Sequence, residues 1–397
     1  MVLTIVAFCF LMIFYAYAGY PLTLMLLLKL GVGNRRVSSL SSDVDQTQKQ
    51  SVSVIVTIRN EEEVIRDKIL NTMLLRFAGG TLADAISDSS TSTELIIASD
   101  ASDDSSDEIV KEYEARGVKL VRSTIGGGKE AAQKLAVTQS SGEIIVFTDA
   151  KIKLSRDALT HALAYFNDLK IGAISSVDLI EGDKESGSGE GLYVRYEMWL
   201  RSLESSFHSL VGLSGSCFAV RREVCEDFPT DIPSDFALLL KCVRLGFRGV
   251  HASNVVGTYR AVASPGAEFQ RKRRTVLRGM AAFFSRIAVL NPVNYGIFSW
   301  QVFSHKLIRW LVPWFGIIAA LGSLILSTSS TFFLLFSELL AVFVLLGFFG
   351  YTSKTLSRFL VFRLPQFFII SNAAIFLAWI DLLSGKRTVR WKPSDKV

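Results

Sequence analysis

The chain has 397 residues, half of them hydrophobic, with 43 basic residues against 37 acidic ones and a formal charge of +6. That length allows one or two domains with real cores, and the apolar share is too high for an ordinary soluble enzyme. Four scattered histidines and four cysteines without a Cys-x-x-Cys spacing exclude a zinc cluster. The basic excess lies largely beside apolar runs, which anionic lipid headgroups explain without nucleic acid.

Residues 2–28 carry no charged side chain, and at about 1.5 Å per residue such a run crosses ~30 Å of hydrocarbon. It lacks the basic start and small-x-small cleavage site of a signal peptide, so residues 1–30 read as an uncleaved anchor. A Ser/Gln/Asp-rich linker to residue 50 follows, then a hydrophilic domain over residues 51–290. Residues 291–310 are aromatic but too polar and short to cross, and read as lying at the interface. Residues 311–383 form a membrane region with apolar runs at 311–327, 331–350 and 364–380, and residues 384–397 are a basic tail. Lys29, Arg35 and Arg36 on one side and Lys306 and Arg309 on the other place both ends of the hydrophilic domain in the cytoplasm. Three further crossings would carry Lys386, Arg387, Arg390 and Lys392 outside, against the same rule. The run at 364–380, interrupted by Pro365, Gln366 and Asn372, is therefore expected to be tilted or partly re-entrant.

Within the domain, Val52–Ile58 is a β-branched run typical of a strand buried on both faces. Asn60 and three glutamates open a helix through about Leu75, and residues 79–93 form a polar loop. The strand at 94–98 ends at Ser99 and Asp100; residues 107–116 are helical and Val118–Arg122 is another strand. Gly126, Gly127 and Gly128 turn into a helix at Lys129–Thr138. The strand at 143–148 ends on Asp149, a helix covers 157–167, and an apolar strand covers 174–179. After a Gly/Ser/acidic loop at 181–191, residues 192–210 read as a helix with Tyr196, Glu197, Arg201 and Glu204. Residues 214–220 are compact and small-residue rich, and 236–245 form a helix after Pro233, Ser234 and Asp235. Strand–helix alternation with short loops predicts an open parallel sheet, whose ligands bind beyond the carboxyl ends of the strands, where Asp100 and Asp149 fall. Cys217, Cys225 and Cys242 lie in the cytoplasmic part and are expected to be reduced.

Neither a G-x-G-x-x-G nor a P-loop is present. Lys129, at a helix start, either meets a phosphate or is a solvated lysine after a glycine turn. Asp100 is placed to accept hydrogen bonds from a base or ribose. Asp149 is placed to hold a divalent ion against a diphosphate, or is a turn cap. Asp235 is either an ordinary helix cap or a base that takes a proton from a sugar hydroxyl. The QRKRR cluster, Gln270 to Arg274, suits a diphosphate or lipid headgroups.

In their order, VSVIVTIRNEEE (52–63), LIIASDASDDSSDEIV (95–110), GGGKEAAQKLA (126–136), GEIIVFTDA (142–150), SGSCFAVRR (214–222), PSDFALLLKCVRLGFRG (233–249), QRKRR (270–274) and SHKLIRWLVPW (304–314) resemble membrane-bound inverting glycosyltransferases of family 2. That group includes bacterial exopolysaccharide synthases and the cellulose, chitin and hyaluronan synthases. The resemblance implies an α/β fold, a Rossmann-like nucleotide-sugar-binding (GT-A) cytoplasmic domain with flanking transmembrane helices in a bacterial plasma membrane. It implies a UDP-sugar donor bound by Thr57, Arg59, Asn60, Glu61, Asp100, Lys129 and Asp149. Asp149 would hold Mg²⁺ or Mn²⁺, Asp235 would be the general base, and Gln270, Arg273 and Arg274 would border the acceptor and diphosphate. The acceptor would be a saccharide or lipid-linked, a β-glycoside would form, and a second copy or an additional membrane subunit would be a partner.

Three departures stand out. The Asp-x-Asp pattern reads Asp149-Ala150-Lys151, where the lysine either supplies positive charge itself or points away. The acidic pair at the base reads Ser234-Asp235. The tryptophan that follows Gln-x-x-Arg in processive members is replaced by Arg274 and Thr275, which argues against a long-chain synthase. The missing second carboxylate also motivates an alternative, a non-catalytic nucleotide-sugar-binding partner or scaffold of a glycan-assembly complex.

Overall fold

The computed structural model describes residues 1–33, 50–88, 92–181, 189–260, 265–353 and 355–386. Almost all of the linker, most of the 181–191 loop and the tail beyond Lys386 lie outside the described residues. The chain divides into two units, one of Met1–Val32, Asp183–Leu203 and Ser264–Arg387, the other of Gly33–Gly182, Glu204–Ala263 and Thr388–Val397.

The second unit is built on strands β1 (Val52–Ile58), β2 (Arg76–Phe77), β3 (Gly80–Thr81), β4 (Glu94–Ser99), β5 (Val118–Arg122), β6 (Ile144–Asp149), β7 (Lys153–Leu154), β8 (Ile171–Ile180), β9 (Cys217–Arg221) and β10 (Arg248–Tyr259). β2 and β3 pair with each other; the rest form one sheet in the order β5-β4-β1-β6-β9-β8-β10-β7. Every residue of β1 is buried, as the unbroken apolar pattern requires of a strand covered on both faces. The core continues through Ile69, Met73, Leu95, Val110, Leu159, Phe166 and Val250. A Cβ on Gly142 would lie 2.4 Å from the Ser53 nitrogen, so β6 enters the sheet too close to β1 for any side chain there.

The parallel expectation holds for β5, β4, β1 and β6. It fails beyond them: β9 runs antiparallel to both β6 and β8. The compact segment at 214–220 is therefore mostly a central strand, inserted from far along the chain. β10, twelve residues long and parallel to β8, closes this half with β7.

In the first unit four helices among the described residues are long and apolar enough to cross a membrane: Val2–Lys29, Ile297–Ser327, Thr331–Thr352 and Leu360–Leu383. They make this a multi-pass membrane protein. The segment read as interfacial is continuous with the second of these, which starts at Ile297. The Pro265–Ser285 helix belongs here and not with the sheet, because Leu277 and Met280 pack with Ala378. The end of Leu360–Leu383 is tied to that helix and to the middle of the second span: Asp381 accepts from Arg273 at 2.6 Å, and Trp379 Nε1 donates to the Trp310 carbonyl at 2.8 Å. Its beginning packs on the end of Thr331–Thr352, where Gly350 leaves room for the Phe362 carbonyl.

Candidate active site

Because β4, β1 and β6 are adjacent and parallel, their carboxyl ends bring Arg59, Asp100 and Asp149 to one edge. Asn60 and Ala101, just past two of these strands, both have left-handed backbones, with φ of 54° and 51°. Such a conformation costs an alanine energy, and here it turns the chain at the strand tip.

Asp100 is fully buried and both of its oxygens are engaged. One accepts from Arg59 Nη1 at 3.1 Å, the other from the Gly128 N–H at 3.0 Å. Glycine is needed in this loop: Gly128 has φ +92°, and a Cβ on Gly126 would sit 3.1 Å from the Arg59 guanidinium. Asn60 and Glu61 tie the loop after β1 to the loop after β4. The Asn60 amide oxygen accepts from the Asp103 N–H at 3.0 Å, and the Glu61 N–H donates to Ser106 Oγ at 2.8 Å. Thr57, beside Asp149 in the β1–β6 register, has a buried hydroxyl with no hydrogen-bond partner among the described residues. A buried hydroxyl left so at a strand tip is uncommon and suits a ligand.

Lys129 is buried, not solvated. Its ammonium donates to Asp149 Oδ1 at 2.5 Å and to the Gly215 carbonyl at 2.8 Å. Gly215 in turn lies against Asp235: a Cβ there would be 3.0 Å from Asp235 Oδ2. Asp235 stands in the first turn of the Ser234–Arg244 helix; its Oδ1 accepts the next N–H at 2.8 Å, and its other oxygen faces the glycine. Asp149 and Asp235 are thus joined through one lysine and one glycine. Lys151 does not point away: its ammonium is 3.5 Å from Glu61 Oε2. Burial pushes the Glu61 pKa up, and the Lys151 charge only partly offsets that.

Two site features were missed from the sequence. Lys68 is completely buried under the β6 tip, donating to Thr148 Oγ1 at 2.9 Å and the Ile152 carbonyl at 2.6 Å; burial lowers its pKa to about 8. Its position three residues after Ile65 and one before Ile69, on the apolar face of its helix, was the available signal. Asp178, at the end of β8, accepts from Ser214 Oγ and from Ser176 Oγ, bracing the turn that carries Gly215. Cys217, pushed up to about 12 by burial, is an unreactive thiol.

Among the described residues no three His, Cys, Asp or Glu side chains are grouped to hold a metal. Asp149 is already gripped by Lys129, and the position two residues on is Lys151. A divalent ion arriving at Asp149 would have to share that carboxylate with the Lys129 ammonium, against like charge.

In the helical unit, Gln270 is exposed, Arg273 is engaged by Asp381, and Lys272 lies 4.2 Å from the Phe367 ring centre. Arg274 is half-buried on the same helix.

Residues 53–228 match the family described as glycosyl transferase family 2. Among curated proteins, β-monoglucosyldiacylglycerol synthase from Trichormus variabilis is 28% identical over 179 residues, 44% of this chain and 36% of that protein. An N-acetylglucosaminyltransferase from Rhizobium leguminosarum bv. viciae is 21% identical over 234 residues, 54% of this chain and 52% of the other. The match to the synthase spans little more than a third of its length. Among solved structures, the mannosyltransferase PcManGT from Pyrobaculum calidifontis, in complex with GDP-Man and Mn²⁺, superposes with a TM-score of 0.73 at 22% identity, covering 98% of this chain and 100% of that one. The fold is thus the GT-A-like fold with flanking apolar helices.

Proposed function

We propose, from the premise that this chain carries a family 2 glycosyltransferase domain, that it transfers a sugar from a nucleoside diphosphate donor to an acceptor hydroxyl with inversion. The observation that carries this reading is the Asp149–Lys129–Gly215–Asp235 chain, which sets a diphosphate-binding corner beside a carboxylate with one oxygen free of its own helix. Asp235 takes the proton of the acceptor hydroxyl as its oxygen attacks the anomeric carbon. The bond to the nucleoside diphosphate breaks on the opposite face, which yields a β-glycoside from an α-linked donor. Lys129, held in place before the donor arrives, faces the charge that grows on the leaving group. Arg59 and the buried Asp100 shape the corner for the nucleoside.

The family resemblance implies a UDP-sugar, whereas the structural relative holds GDP-Man, so both nucleotides belong in the test. The curated synthase, named for a glucosylated diacylglycerol, supports a lipid acceptor, as do the four apolar helices. The basic flanks support a cytoplasmic position for the sheet unit. The test is transfer of radiolabelled sugar by the full chain in lipid, with a panel of UDP- and GDP-sugars. Asp235→Asn is expected to lower transfer by about 10²–10⁴-fold while nucleotide binding persists. Transfer that survives this substitution would sink the reading.

A further inference from the structure

We infer that this protein meets the donor diphosphate with lysine charge in place of a divalent cation, Lys129 and Lys151 supplying it around Asp149. The inference rests on the donor reading above. Its first support is that Lys129 is fixed before any ligand arrives. The ammonium is 2.5 Å from Asp149 Oδ1 and 2.8 Å from the Gly215 carbonyl, which leaves its third hydrogen for a phosphate oxygen. A cation arriving at Asp149 would have to displace this ammonium or sit beside it, against like charge.

The second support is the identity and placement of Lys151. It lies two residues after Asp149, and its ammonium is held 3.5 Å from Glu61 instead of extending into solvent. Asp149, Glu61, Lys129 and Lys151 together sum to a formal charge of zero. A carboxylate at position 151 would bring the same four groups to a formal charge of −2, the deficit that a divalent cation neutralises. Exchanging a carboxylate for an ammonium therefore shifts the corner by as much charge as the metal carries. Lysine is a common binder of phosphate as a point charge.

The test uses the full chain in detergent and reads GDP and UDP binding by calorimetry, with EDTA or with Mn²⁺. Wild-type affinity is expected to agree within about twofold between the two conditions. Lys151→Asp is expected to lose about tenfold in affinity in EDTA and to regain it with Mn²⁺. Electron paramagnetic resonance of added Mn²⁺ should show nucleotide-dependent uptake by Lys151→Asp and none by the wild type. If that variant does not fold, Lys151→Gln serves, with weaker binding that Mn²⁺ does not restore. A wild type that loses nucleotide binding in EDTA, or takes up Mn²⁺ with the nucleotide, overturns the inference. A folded wild type that binds neither nucleotide under either condition overturns the donor reading itself, and this inference with it.

Discussion

The sheet unit and the helical unit each set a carboxylate among cations, with different results. Asp149 spends one oxygen on Lys129 and keeps a third of its side chain exposed. In the helical unit Glu197 spends one oxygen on His305 at 2.9 Å and the other on Arg309 at 2.8 Å. The Arg309 guanidinium also lies over the rings of Tyr17 and Tyr196, and Tyr196 donates to the Tyr17 carbonyl at 2.8 Å. Burial pushes the Glu197 carboxyl up, but the Arg309 and His305 charges win and hold it well below its ordinary value. Both apolar helices at this cluster carry a π-turn, Tyr15–Gly19 and Phe303–Ile308, which re-aims side chains. A carboxylate with a spare oxygen and access to solvent is available for chemistry. One with both oxygens spent on cations is a fastener.

That contrast is broken or sharpened by substitution. Gly215→Ala should do the greatest damage to turnover, since its methyl group would press on Asp235 Oδ2. Sugar transfer is expected to fall by about 10²-fold or more, with nucleotide affinity and unfolding temperature little changed. Glu197→Gln should do the reverse. Removing one partner of a buried pair costs about 3–5 kcal/mol, so thermal unfolding in detergent should come markedly lower while the nucleotide affinity of the remaining folded protein holds. Equal losses of binding in the two variants would erase the distinction between site and fastener.

Lys68 offers a smaller, pH-dependent test. Its folded pKa, about 8, lies below its ordinary value of 10.5, so between those values the unfolded chain binds more protons and stability rises with pH. The cost of keeping the charge buried is fully present below pH 8 and is relieved above it. Lys68→Met should flatten this rise, a difference on the order of 3 kcal/mol across the window, read as the pH dependence of unfolding for the two proteins. The smallest effect concerns the last helix. With Asp381 tied to Arg273, the end of this helix lies beside the Pro265–Ser285 helix that carries Gln270. A cysteine at Lys386 should therefore react with a membrane-impermeant reagent from the same side as one at Gln270. Labelling from opposite sides would make Leu360–Leu383 a full crossing and restore the conflict over the basic tail.

Much of the donor half was legible because its signals are local. The run at Val52–Ile58, the aspartates after two further apolar runs, and the glycines before Lys129 all fall within windows of about ten residues, where side-chain period and turn chemistry decide the conformation. The apolar spans were legible for the same reason, and the helix of the second extends back from the apolar run at 311–327 to Ile297. Lys68 stands out only in the folded chain, because only packing shows that its helix face is covered.

The sequence by itself determined which residues could end a strand, open a helix or enter a bilayer, since those are properties of short stretches of chain. Only the tertiary structure decided that β9 enters antiparallel beside β6, that Lys129 reaches a carbonyl 86 residues away, and that Asp235 faces that same glycine. The physical reason is that no local preference selects a partner so distant. The common sheet brings these groups together, and the buried charge of Lys129 holds once two oxygens are there to receive it.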